Sequence, residues 1–188
     1  MSKAINRVEA PTHYELAKGY LFCRDNSYRL IREAEYLFSN GFFLSTINHC
    51  RLANEEIAKS ILIWNASSYL DSENGKWNWF YKSLTDHKEK LRVLEYSVHW
   101  DDYKDQEIFS KIISDLMRTR EETLYVGFDK QAGSFKYPDE YFESPEETSK
   151  IELEYSNKLH KLVFLGEYLT GNSSIEQIVD AFNIDVRE

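Results

Sequence analysis

The sequence predicts an all-α domain, a bundle of four main helices with shorter helices beside them. Its 188 residues include 7 glycines and 3 prolines, too few breakers for a turn-rich β-sandwich. Hydrophobic residues make up 42% and aromatic residues 15%, a globular composition. Apolar residues recur at helical spacing along several long segments. Since chains usually divide only above roughly 250 residues, we expect residues 1–188 to form one domain.

The first predicted elements are two helices of unequal length. Thr12 and Glu15 have the spacing of a capping box, which opens a short helix that falters near Gly19. An apolar stripe then predicts a helix over about residues 25–39. Gly41 follows it and supplies the left-handed residue that closes a helix.

The middle of the chain predicts a central helix and its neighbours. Residues 42–64 are apolar on every side, which is typical of a buried helix. Residues 77–81 are helix-prone, and the stretches 83–99 and 105–120 each carry an apolar stripe. Residues 121–143 change pattern and predict an extended loop or a hairpin.

A long helix and a short one complete the bundle. Ser144, a proline at the first helical position and Glu147 form the strongest helix start in the chain. This helix is predicted to end near Gly171. Its inward residues are expected to be Ile151, Tyr155, Leu159, Leu162, Val163 and Leu169. Ser174 and Gln177 cap a last short helix.

Charge and cysteine usage exclude several function classes. The net charge of −9 argues against a general polyanion-binding surface, so a nucleic-acid role needs a local site. Cys23 and Cys50 lie apart from any CxxC or Cys/His cluster, which predicts buried reduced thiols. We expect no metal and no cofactor. Without an apolar leader or an apolar run of ~18 residues, we also expect a cytoplasmic protein with no membrane contact.

The first candidate for chemistry is the trio Glu55, Glu56 and Lys59 on the central helix. Glu55 and Lys59 are four residues apart in the order that favours a helical ion pair. Three charges on an otherwise apolar helix must also be paired or desolvated. A site role and a buried polar network that fixes helix register are both open interpretations.

Two further pairs could act as acid, base or cation. His87 and Lys90 are one turn apart, with His87 on the apolar face and Lys90 at its edge. His87 is either a satisfied core residue or, if it pairs with a carboxylate of the central helix, a general acid/base. Arg92 and His99 are two turns apart and suit metal-free RNA cleavage, although chance also explains such a spacing.

Several motifs together resemble one family. They are the run from Asp25 to Phe42, the run from Leu52 to Lys59 (LANEEIAK), His87 with Lys90, and the run from Arg120 to Phe128 followed by Pro138. These blocks are similar in order and spacing to the AbiV-type abortive infection proteins of the HEPN superfamily, over roughly residues 20–165. Ala58 departs from the family pattern, which has glycine there. The resemblance implies a HEPN-like bundle with its core at about residues 20–170.

The resemblance also implies phage defence by arresting growth or translation. The wider superfamily cleaves RNA with Arg-x4-6-His, which Arg92 and His99 fit only at its longest spacing. A metal-independent ribonuclease is therefore one hypothesis, with His87 as general acid/base, Lys59 and Lys90 on phosphate, and Glu55 and Glu56 tuning them.

A non-catalytic effector that binds a translation component or a phage protein is the rival hypothesis, and a nucleotide-binding regulator is a third. The implied partners are a second copy of the chain, a phage-encoded activator protein, and an RNA or translation-machinery target. The apolar stretches 42–64 and 83–99 predict the seam of a homodimer beside the candidate site.

Overall fold

The computed structural model describes residues 10–68, 77–97, 127–129, 133–164 and 174–185, with residues 107, 110 and 111. This part of the chain contains α1 (His13–Ser39), α2 (Phe43–Ser67), α3 (Trp77–Thr85), α4 (His87–Ser97), α5 (Pro145–Phe164) and α6 (Ile175–Asp185). Strands β1 (Gly127–Asp129) and β2 (Ser134–Lys136) pair antiparallel, with Phe128 opposite Phe135. A short 3₁₀ turn spans Pro138–Tyr141. The all-α class and the hairpin within 121–143 are confirmed.

Helix α1 is continuous, so the predicted break near Gly19 is wrong. Its start is the predicted capping box, because the Glu15 amide donates to Thr12 Oγ1 at 3.2 Å and the Thr12 amide donates to Glu15 Oε2 at 2.8 Å. A Cβ on Gly19 would lie 3.3 Å from Ile63 Cδ1. Glycine therefore allows α1 and α2 to approach closely, rather than ending the helix. Gly41, at φ +78°, closes α1 as predicted.

Helix α2 is the central element of the bundle. It contacts α1, α3, α4 and α5. Its side chains Ile47, Ile57 and Leu62 are fully buried, while Leu52 is exposed. Among the described residues, no helix is long and apolar enough to cross a membrane.

The predicted helix over 83–99 is instead two helices with a break at Asp86. The Asp86 side chain accepts hydrogen bonds from the amides of Lys88 and Glu89, at 2.9 and 3.3 Å. An aspartate that caps two free amides in this way starts a new helix, so α4 begins at His87. Of the predicted helix over 105–120, the three described residues are helical.

Helix α5 buries a different stripe from the one predicted. Its Tyr155 and Leu159 are buried as expected, but Ile151 and Leu162 are exposed. The buried stripe includes the polar residues Ser149, Glu152 and Ser156. The inward face of α5 therefore lies on a different side of the helix from the one that its apolar residues predict. The Ser144 cap is confirmed, whereas Leu169 and the predicted end at Gly171 lie outside the described residues.

Helix α6 closes one end of the main core. The Gln177 amide donates to Ser174 Oγ at 3.3 Å, and the Ser174 amide donates to Gln177 Oε1 at 2.7 Å, which confirms the predicted cap. Ile178 and Phe182 are buried in the main core, where the Phe182 ring lies 5.1 Å from the Trp64 ring.

Candidate functional site

The candidate site is a three-residue ionic cluster between α2 and α4. One oxygen of Glu55, Oε2, lies 2.7 Å from His87 Nδ1 and 2.8 Å from Lys90 Nζ. The Asp86 cap fixes where α4 begins, and His87 and Lys90 are then one turn apart on the same side of the helix. Both side chains therefore reach a single carboxylate of α2.

The three side chains differ sharply in their burial. The Lys90 side chain is 3% exposed and that of Glu55 is 10% exposed, while the His87 side chain is 50% exposed. The expectation of an inward His87 with Lys90 at the edge is thus wrong. The carboxylate of Glu55 compensates the buried ammonium, and His87 lies in the first turn of α4, where its ring reaches solvent.

The cluster holds Glu55 in its ionised form. Burial alone would raise the pKa of the Glu55 carboxyl, but hydrogen bonds and charge from Lys90 and then His87 outweigh it, and the pKa is lowered. An ionised carboxylate only accepts hydrogen bonds, so His87 Nδ1 donates to it. This fixes the tautomer of the ring, with a proton on Nδ1. A carboxylate-oriented, half-exposed imidazole is suited to general acid–base chemistry.

Glu56 and Lys59 form a separate pair on α2. Lys59 Nζ lies 2.7 Å from Glu56 Oε1, so the predicted pairing of Lys59 with Glu55 is wrong. The nearby Cys23 of α1 is free and buried, as predicted. Burial and then the Glu56 charge raise the pKa of its thiol to about 12. Lys59 and Lys90 both lie against carboxylates, so neither is placed as the simple phosphate ligand that the sequence predicts.

The Arg92 and His99 pair is only partly described. The Arg92 side chain is 58% exposed, and its Nη1 donates to Glu89 Oε1 at 2.9 Å on the surface of α4. His99 lies outside the described residues. The described residues therefore bring together Glu55, His87 and Lys90, while Arg92 sits on the exposed side of α4.

Comparison with known families decides the relationship. The family model for HEPN_AbiV, described as AbiV, matches residues 15–163. The chain belongs to the AbiV family. Searches of curated proteins and of solved structures returned no match. Membership gives this AbiV protein a function of the abortive-infection type, and the matched segment contains every candidate site residue from Glu55 to His99.

A second buried polar cluster lies between α2 and α5, and it was not predicted from the sequence. In this AbiV chain Arg51 Nη2 donates to Glu152 Oε1 at 3.1 Å, with both side chains buried. Asn54 is fully buried on the same helix as Arg51, and Ser156 is buried one turn beyond Glu152. The sequence feature that could have indicated this cluster is the presence of Arg51 and Asn54 in a helix that is predicted to be buried. Within the described residues, no three His, Cys, Asp or Glu side chains are grouped to hold a metal ion.

Proposed function

We propose that this AbiV protein is an antiphage abortive-infection effector that cleaves RNA without a metal ion. The observation that carries the proposal is the 2.7 Å contact between Glu55 Oε2 and the half-exposed His87 ring. In this arrangement His87 is the general acid/base, and Glu55 holds its tautomer. Lys90 is a positioning residue, since its buried ammonium holds Glu55 in place.

The proposed reaction is transesterification within the RNA strand. His87 Nε2 accepts the proton of a ribose 2′-hydroxyl, whose oxygen attacks the adjacent phosphorus. The bond from phosphorus to the 5′-oxygen breaks, the leaving oxygen takes a proton from solvent, and a 2′,3′-cyclic phosphate remains. A cation near the phosphate stabilises the transition-state charge. Arg92 is the exposed candidate on α4 for that role, and Arg92 with His99 is the alternative catalytic pair.

Incubation of the purified protein with total RNA in EDTA tests this function, with and without extract of phage-infected cells. We expect cleavage that His87→Ala abolishes and Glu55→Gln weakens. The matched control is His49→Ala, because His49 is also a partly exposed histidine beside a carboxylate, with Nε2 3.6 Å from Glu33 Oε2. RNA that stays intact under every activating condition would refute the nuclease.

A non-catalytic effector that binds a translation component or a phage protein is the second candidate. Two observations favour it: the burial of Lys90 with Glu55, which is the arrangement of a structural ion pair, and the net charge of −9, which repels RNA. Under this alternative, His87→Ala acts only through lost stability. A variant that keeps its thermal midpoint but loses phage protection would contradict a purely structural role.

Activation and place of action complete the proposal. The activator is a phage-encoded protein, which releases the effector only during infection, and the target is RNA or the translation machinery of the cytoplasm. The net charge of −9 disfavours indiscriminate contact between the resting protein and RNA. Addition of fractionated phage proteins to the RNA assay tests this control step, and activity at full rate without any phage component would contradict it.

A further inference from the structure

The outer face of α1 carries an exposed aromatic stripe. Its members are Tyr14, Phe22, Tyr28 and Tyr36, each between 56% and 69% exposed. At 100° per residue they fall within an arc of about 120° and span about 33 Å of helix. The opposite side of α1, which includes Leu16, Tyr20 and Ala34, is buried in the fold. Large exposed apolar side chains gathered on one surface are typical of an interaction site.

The charge of α1 indicates the kind of partner. The helix holds four acidic and four basic residues, namely Glu15, Asp25, Glu33, Glu35, Lys18, Arg24, Arg29 and Arg32. It is therefore neutral in a chain of net charge −9. Arg29 pairs with Glu33, and Arg32 pairs with Glu35 at 2.6 Å, so these cations are already matched. A helix whose charges balance attracts RNA less than a basic one does, and two copies of an acidic protein can meet on it with little repulsion.

The spacing of the aromatic residues is symmetric about Asp25. Tyr14 and Tyr36 each lie eleven residues from it, and Phe22 and Tyr28 each lie three residues from it. A two-fold dimer uses one self-complementary patch on both subunits. Antiparallel packing of two α1 helices about an axis at Asp25 sets Tyr14 opposite the partner's Tyr36. It also sets Phe22 opposite the partner's Tyr28. The Asp25 carboxylate is matched within its own chain by Arg24 at 2.9 Å.

We propose that the outer face of α1 is the interface of a homodimer with antiparallel α1 helices. An aromatic residue buries about 150–250 Å². The exposed parts of four such residues on two copies therefore amount to roughly 1,000 Å², which is the lower bound of a specific interface. Within the described residues, the seam expected from residues 42–64 and 83–99 offers less exposed apolar surface. Phe42 and Leu52 are exposed, but the other apolar side chains of α2 are buried or partly buried, and Leu91 and Leu94 of α4 are buried. This interface does not depend on the proposed nuclease.

Light scattering on the full chain, combined with cysteine crosslinking, tests the interface. We expect a dimer at micromolar concentration. Phe22→Glu with Tyr36→Glu should raise its dissociation constant at least about 30-fold, the effect of losing one interface hot spot. Both side chains are exposed, so helix content should be unchanged, and the thermal midpoint should fall only by the stabilisation that dimer formation adds. The matched control Tyr137→Glu changes an exposed tyrosine that is not part of α1, and it should leave the dimer intact.

The crosslink tests the register of the two helices. Asp25→Cys lies at the proposed axis and should form an intersubunit disulfide on oxidation. Lys150→Cys, an exposed position on α5, should not. The native Cys23 and Cys50 are buried and do not compete. A monomeric wild type, a dimer that survives the double glutamate variant, or a dimer of Asp25→Cys without the crosslink would each overturn the proposal. RNA binding by a monomer, lost in the double variant, would assign the face to RNA and overturn it too.

Discussion

Glu55→Gln is expected to destabilise the fold strongly. Among the described residues, Glu55 is the only one whose carboxylate lies within hydrogen-bond distance of the buried Lys90 ammonium, and the substitution removes that negative charge. The pair is 2.8 Å apart, and the Lys90 side chain is 3% exposed. Removing one partner of such a pair leaves an uncompensated charge and costs about 3–5 kcal/mol. For a domain of this size each kcal/mol lowers the thermal midpoint by about 2–4 °C. We therefore expect a fall of roughly 6–20 °C.

The assay is thermal unfolding followed by circular dichroism, with a control substitution on α4, the helix that carries Lys90. Glu89→Gln breaks the exposed pair with Arg92, which is worth at most about 1 kcal/mol. Adding Lys90→Met to Glu55→Gln removes the orphaned charge and should restore most of the lost stability. If Glu55→Gln costs no more than Glu89→Gln, or if the double variant is worse than the single one, the reasoning about the buried cluster is wrong.

Three further predictions follow from the same contacts. Since the pKa of Glu55 is lowered from its ordinary value of 4.5, its stabilisation is complete above that pH and is lost as pH falls through its folded pKa. The difference in unfolding free energy between wild type and Glu55→Gln should therefore shrink in acid titrations. Asp86→Ala should lower the midpoint of urea unfolding, and Asp86→Asn should lower it much less, because asparagine also caps helices. Equal losses would contradict the cap. Cys23 and Cys50 should not react with a disulfide reagent at neutral pH in the native state, because burial raises the pKa of each thiol. Both should react in denaturant, and rapid reaction of either thiol in the native protein would contradict this.

Features that depend on residues close together in the chain, such as helix starts, are predicted well from the sequence. Thr12, Ser144 and Ser174 each start a helix through hydrogen bonds within three residues, and all three starts are confirmed. The central position of α2 also follows from its own composition. Gly19 shows the opposite case. Glycine at this position predicts the end of a helix when only its neighbours in the sequence are considered. In the fold it instead leaves space for the side chain of Ile63, which lies far along the chain.

The candidate site is less predictable because long-range pairing settles it. Lys59 has Glu55 four residues before it and Glu56 three residues before it, and both are within reach on a helix. Glu55 is taken by His87 and Lys90, which lie 32 and 35 residues away, so Lys59 pairs with Glu56. Helical spacing on α4 alone cannot show that a carboxylate lies opposite and permits a lysine to be buried.

We propose that His87, held by Glu55, carries the chemistry of this AbiV protein. The most direct measurement is the survival of phage-challenged cells that express wild type, His87→Ala or His49→Ala, with each purified protein's thermal midpoint measured alongside. We predict that His87→Ala loses protection while its midpoint stays at the wild-type value, and that His49→Ala keeps both. Full protection by a folded His87→Ala protein would contradict the claim.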